Sequence, residues 1–222
     1  MKNSNLKNFG IAYILAATLV IVANFAIYNN IFITGNFEET IQNIIDKEQY
    51  FRIAIFHDLL YVTFFITAFV SLYTEFKTIY GYLALVALIM QLLYIFIFLV
   101  ETVAVLEVFR LMNSPIHLQN PERFEQVVKN FIGFRFDRYY GGLPMHSIGS
   151  FIFSYLIYKT TIAPKTLSIM AMFGWIICTV CSFALFTITS FMKNVDLWLY
   201  DTLSTLSFIL LGGYFIFKFY KK

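Results

Sequence analysis

The chain has 222 residues, of which 59 % are apolar and 13 % charged, with a formal net charge of +3. A soluble domain carries roughly 25 % charged residues, so a water-facing surface cannot be built from this composition, and an all-α polytopic membrane protein is indicated. The lysines stand singly at the edges of apolar runs, without clustered exposed aromatics, which excludes nucleic-acid binding.

A bilayer core about 30 Å thick takes roughly 20 mostly apolar residues per helix. Runs free of Asp, Glu, Lys and Arg cover 10–37, 59–74, 78–100, 139–158, 166–192 and 202–217. The second and sixth reach span length by taking in 53–58 and 197–201. The expected fold is therefore a six-transmembrane-helix bundle forming one domain, with spans at about 10–29, 53–73, 79–101, 139–158, 166–190 and 197–217. The runs are continuously apolar, without the period-two alternation of a membrane barrel. Span one follows Lys2 and Lys7, but its uncharged stretch exceeds a signal-peptide core and no A-x-A-like site follows, so it reads as a retained helix.

The connections carry structure of their own. Asn36 and Glu39 have N-cap and N3 spacing. Phe37, Ile41, Ile44 and Ile45 then recur as the stripe of an amphipathic helix over about 37–50. Asn120-Pro121 places a capping residue before a proline at N1. Phe124, Val127, Val128, Phe131 and Ile132 follow at the same spacing over about 121–137, with Glu122, Arg123, Glu125 and Lys129 on the other face. Both segments are expected to lie along the outer headgroup layer; the alternative is a lid over the bundle. Pro144, just after Gly141-Gly142, predicts a bent start to span four. Cys178 and Cys181 lie one turn apart in span five and read as small packing residues.

Lysine distribution sets the orientation. Lys2, Lys7, Lys77, Lys159, Lys165, Lys218, Lys221 and Lys222 share one side with a single acid, Glu75. That side is expected to be cytoplasmic, with both termini in the cytoplasm and the chain in the cytoplasmic membrane. The other side holds the long connections.

The segment 42–60, with Asn43-Ile44-Ile45, Phe51-Arg52 and Asp58-Leu59-Leu60, resembles the start of helix two in a bacterial six-span family known as domain of unknown function 4386. Tyr155-Leu156-Ile157-Tyr158-Lys159, followed by Pro164, Leu167 and Gly174, is similar to that family's turn between helices four and five. The resemblance runs from about residue 8 to 217. It implies the fold and the membrane location, and no activity. Where the family pattern has an arginine and then an acid in the middle of helix three, this chain has Gln91 and Tyr94.

Ionisable side chains at membrane depth cost roughly 2.5–3.5 kcal/mol each on insertion scales, so each asks for a reason. His57, Asp58, Glu101, Asp137, Arg138, His146 and Asp201 fall in one layer of the outer third. Helical spacing also groups Gln91, Tyr94, Phe98 and Glu101; Ser147, Ser150, Ser154 and Tyr158; and Asp201, Ser204, Thr205, Phe208 and Gly212. Hydroxyl and small residues at this spacing mark close helix packing.

Three readings of the layer stay open. Arg52 and Arg138 can pair with Asp58, Glu101 or Asp201 and simply tie helix ends together. An outward-facing ligand pocket would use Arg52, His57, Asp58, Tyr61, Gln91, Tyr94, Glu101, Arg138, His146 and Asp201. A zinc or other divalent metal site would use His57 and His146 with Asp58, Glu101 or Asp201, and its bound water could attack a lipid ester or amide. No local metal-binding spacing supports the last, and His117 adds little. The favoured expectation is a non-enzymatic binding, sensing or accessory protein, without a cofactor, that meets membrane lipid or a small lipid-like ligand on its extracytoplasmic face. An intramembrane metal-dependent hydrolase and a small transporter are the alternatives. Phe51-Arg52 and Phe134-Arg135, with Lys77-Thr78 and Lys159-Thr160, also suggest a duplicated helical hairpin.

Overall fold

The computed structural model describes residues 3–33, 36–115, 119–188 and 197–220, with the backbone alone at 3, 101, 105, 106, 132–139 and 197–200. Among these residues the secondary structure is entirely helical. In chain order the elements are α1 (Asn3–Ile21), a π-helical segment (Val22–Ile27), a 3₁₀ turn (Tyr28–Asn30), α2 (Phe37–Asp46), α3 (Glu48–Met112), α4 (Pro121–Thr160), α5 (Lys165–Thr187) and α6 (Leu197–Tyr220). Four segments are long and apolar enough to cross a membrane: Ser4–Asn30, Glu48–Met112, Lys165–Thr187 and Asp201–Tyr220. Large apolar side chains such as Phe25, Phe96, Phe173, Val180 and Phe183 stand exposed around the bundle, as lipid-facing positions do.

The 65-residue α3 is not one rod. Residues 51 and 109 would lie about 87 Å apart along a straight helix, yet their rings stand 5.3 Å apart. The helix folds back at Tyr80, whose φ −131° and ψ 46° leave the helical region. Its limbs, 48–79 and 81–112, form an antiparallel hairpin. The turn expected at 74–78 is therefore still helical, and the reversal comes at Tyr80. The corresponding turn after α4 uses a different device, Thr161 in the left-handed region at φ 52°.

The first span departs from a plain helix. Asn24 Nδ2 bonds the Val20 carbonyl at 2.8 Å and Asn30 Nδ2 the Ala26 carbonyl at 2.7 Å. Side-chain amides that reach back in this way compete with the backbone ladder. The ladder here widens to the π form and then tightens to 3₁₀, which turns Tyr28 into the interior, where it is 3 % exposed.

Both predicted caps are present: Asn36 accepts from the Glu39 amide and Asn120 from the Arg123 amide, each at 3.1 Å. The elements they open differ from expectation. α2 ends at Asp46, not near residue 50, because Lys47 leaves the helical region before α3 begins. The segment 121–137 is not a separate surface helix but the first half of the 40-residue α4. Helical backbone also continues through Pro144, so the helix is not broken there. Ser147 Oγ bonds the Pro144 carbonyl at 3.0 Å, and packed neighbours can absorb a proline in a buried helix.

Two hydrophobic clusters result. The larger is the bundle core, built on Phe9, Tyr13, Phe65, Phe69, Tyr94, Phe153, Trp175, Phe208 and Phe215. A glycine pair lets α1 and α6 touch: a Cβ at Gly10 would collide with the Gly212 carbonyl. The smaller cluster joins Tyr28, Ile31, Ile44, Phe51, Val108, Phe109, Phe124, Val128 and Phe131. It caps one end of the bundle. The amphipathic stripes of α2 and α4 thus bury against each other and against the first and last turns of α3; Ile45 alone of the α2 stripe is exposed.

Candidate binding site in the polar layer

The layer between cap and bundle core is where the polar side chains collect. At its upper edge the Tyr28 hydroxyl donates to Asp58 Oδ2 at 2.5 Å, with both residues buried. One turn deeper along α3, the Tyr61 and Tyr94 hydroxyls meet at 3.2 Å, joining the two limbs of the hairpin. Asp201, at the start of α6, lies close enough to Tyr13, Tyr61 and the Cys178 thiol to act on each electrostatically.

The centre is His146. Gln91 Nε2 donates to the His146 carbonyl and to Ser150 Oγ, both at 3.0 Å. These two acceptors fix the amide orientation, so Gln91 Oε1 accepts from His146 Nδ1 at 2.7 Å. In the neutral ring the proton then sits on Nδ1, and Nε2 keeps its lone pair. Gly149 permits this contact, since a Cβ there would stand 2.7 Å from Gln91 Nε2 and 2.9 Å from the Ala87 carbonyl. Gly142 does the same for Tyr94, where a Cβ would stand 2.9 Å from the ring.

Aromatic rings enclose the imidazole. Tyr94 stacks on it at 4.9 Å and 23°, Trp175 meets it edge-on at 4.7 Å and 75°, and Phe65 and Phe69 lie at 5.2 and 6.0 Å. The result is a polar network in an aromatic box, with α3, α4 and α5 each supplying a wall.

The predicted residues divide accordingly. Tyr61, Gln91, Tyr94 and His146 come together, Asp58 lies at the upper edge, and Asp201 borders the same space. Arg52 does not reach them. It pairs with Glu48 one turn away and lies over the Phe109 ring at 4.1 Å, with its side chain half exposed. The reading that pairs Arg52 with Asp58 or Asp201 gives way to a carboxylate four residues back, the nearer partner. His57 is also apart: its Nδ1 bonds the Ile53 carbonyl of its own helix at 2.8 Å. Among the described residues no three His, Cys, Asp or Glu side chains gather as a metal site. The side chains of Glu101, Asp137 and Arg138, and all of His117, lie outside the described residues.

Two participants were missed from the sequence. Tyr28 needed the π segment to face inward, and nothing in the local pattern announces that segment beyond Asn24 and Asn30 in an apolar run. Trp175 sits in a uniformly apolar helix, and only its indole nitrogen hinted at a polar partner. Of the serine stripe, Ser150 bonds across helices, while Ser147 and Ser154 bond back to their own.

The chain belongs to the family described as domain of unknown function (DUF4386), whose profile matches residues 9–218. No curated protein and no solved structure matches the chain.

Proposed function

We propose that this DUF4386 member is a small bacterial membrane protein that binds or senses a lipid-like ligand from the extracytoplasmic side. On this reading the bundle crosses the cytoplasmic membrane six times. α3 supplies two crossings as a hairpin, and α4 supplies one through its charge-free stretch 139–158. The end opposite the cap carries Lys7, Lys77, Lys159, Lys165 and Lys218, which supports the reading that this end and both termini face the cytoplasm.

The observation that carries the reading is the position of the polar layer. His146, Gln91, Tyr61 and Tyr94 lie at membrane depth inside an aromatic box, and a separately packed cap covers the end of the bundle above them. Polar groups at that depth are costly unless they serve a site. A ligand that partitions from the outer leaflet would enter below the cap, place its apolar body among the rings and meet the polar atoms with its head.

Native mass spectrometry on protein released gently from membranes tests this. Retention of a small lipid-like adduct, lost in His146→Phe, is the expected result. A bare chain mass under all mild conditions overturns it. Orientation is tested by labelling Lys159→Cys in a Cys181→Ser background: an impermeant maleimide should leave intact cells unlabelled, and labelling from outside refutes the assignment.

A further inference from the structure

Two polar atoms at the centre of the box are left over from the network. Trp175 is fully buried, and its Nε1–H has no hydrogen-bond partner among the described residues. His146 commits Nδ1 to Gln91 and, at 3.4 Å, to Ser150, and no described residue bonds Nε2. The ring is 6 % exposed and its centroid lies 4.7 Å from that of Trp175. One of these atoms can only donate and the other, with the proton held on Nδ1, can only accept. A buried donor without a partner, on a ring that packs edge-on against an imidazole with an unbonded acceptor nitrogen, is an expensive arrangement unless something joins them.

We propose that a single hydroxyl group joins them, and that the ligand is a neutral, lipid-soluble alcohol. This rests on the reading of the layer as a binding site and names its chemistry. The hydroxyl oxygen accepts from Trp175 Nε1–H while its proton goes to His146 Nε2. A carboxylate or phosphate would set its oxygens against the Nε2 lone pair, and no described Lys or Arg side chain contacts either ring. An ammonium would face the Trp175 N–H. An ether, ketone or ester meets the indole but leaves the imidazole unsatisfied. A hydroxyl donates and accepts on one atom and so answers both, and the surrounding Phe65, Phe69 and Phe208 rings suit an apolar chain behind it.

Gln91 is the positioning residue for this contact. Its amide sets which imidazole nitrogen carries the proton and therefore which way the ring reads the ligand.

The chain has two tryptophans, Trp175 and Trp198, so Trp198→Phe makes Trp175 the sole reporter. The full chain in lipid nanodiscs is titrated with 1-dodecanol, 1-methoxydodecane and dodecane while Trp175 emission is followed. A saturable shift is expected with dodecanol at about tenfold lower concentration than with the ether or the alkane. Adding His146→Phe should remove that preference. Because this variant also changes the packing of the box, the alcohol-to-ether ratio in the Trp198→Phe protein stands as an independent criterion. Equal responses to the three probes, or none to dodecanol, overturn the proposal. A strong rise of Trp175 emission in D₂O without any alcohol response assigns the position to water and overturns it too. Native mass spectrometry that retains an adduct while dodecanol does nothing refutes the alcohol and leaves the binding role standing.

Discussion

The bundle and its cap bury side chains by opposite rules. In the bundle core, polar groups are taken inside and joined between helices: Gln91 to His146 and Ser150, Tyr61 to Tyr94. In the cap, the buried set is aromatic and aliphatic apart from Thr40, while the charges stay on the surface as local pairs such as Arg52 with Glu48 and Lys129 with Glu125. The cap is packed like a small soluble domain and the bundle like a membrane protein. Where the two meet, Tyr28 and Asp58 form a buried polar contact between the 3₁₀ turn and α3.

Substitutions can break this contrast or sharpen it. The largest effect should come from Gly10→Leu, which forces α1 and α6 apart where the Gly212 carbonyl leaves no room. A loss of about 3 kcal/mol is expected, read as a large fall in the thermal unfolding midpoint in detergent. Gln91→Ala should cost about 2 kcal/mol, because it strands the His146 Nδ1–H in the interior; thermal unfolding should show the loss without a change in helix content. Asn36→Ala removes the α2 cap and should cost about 1 kcal/mol. Hydrogen exchange should quicken in α2 alone, and a bundle that loosens equally would erase the distinction drawn here. Glu48→Ala breaks an exposed pair and should cost at most about 0.5 kcal/mol, within the scatter of the melting curve.

Local signals in the sequence were read well where local physics decides. Asn36 and Asn120 cap their helices because capping depends on residues three apart. The resemblance to the DUF4386 family, legible in a few polar points, agrees with the family match over residues 9–218, and the helical, apolar character follows from composition. What failed depends on tertiary neighbours. Pro144 reads as a helix breaker, yet the helix runs on through it with partners packed around it. The stripe at 124–132 reads as a surface helix, but nothing between it and span four terminates a helix, and both belong to α4. The sequence layer of polar residues was found with His146, Gln91, Tyr61 and Tyr94 in it. That Arg52 and His57 stay outside follows from acceptors on their own helices, Glu48 and the Ile53 carbonyl, which were visible at i−4 and were passed over.

The unbroken run of α4 has a mechanical consequence. At 40 residues it is about 60 Å long, twice the thickness of the hydrocarbon layer, with its first turns in the cap and its last at Thr161. A stiff beam of that length, pivoting near its middle, moves each tip about 2–3 Å for a 5° tilt. A tilt of α4 as one body would carry a displacement of the cap, reversed in direction, to the far mouth of the bundle.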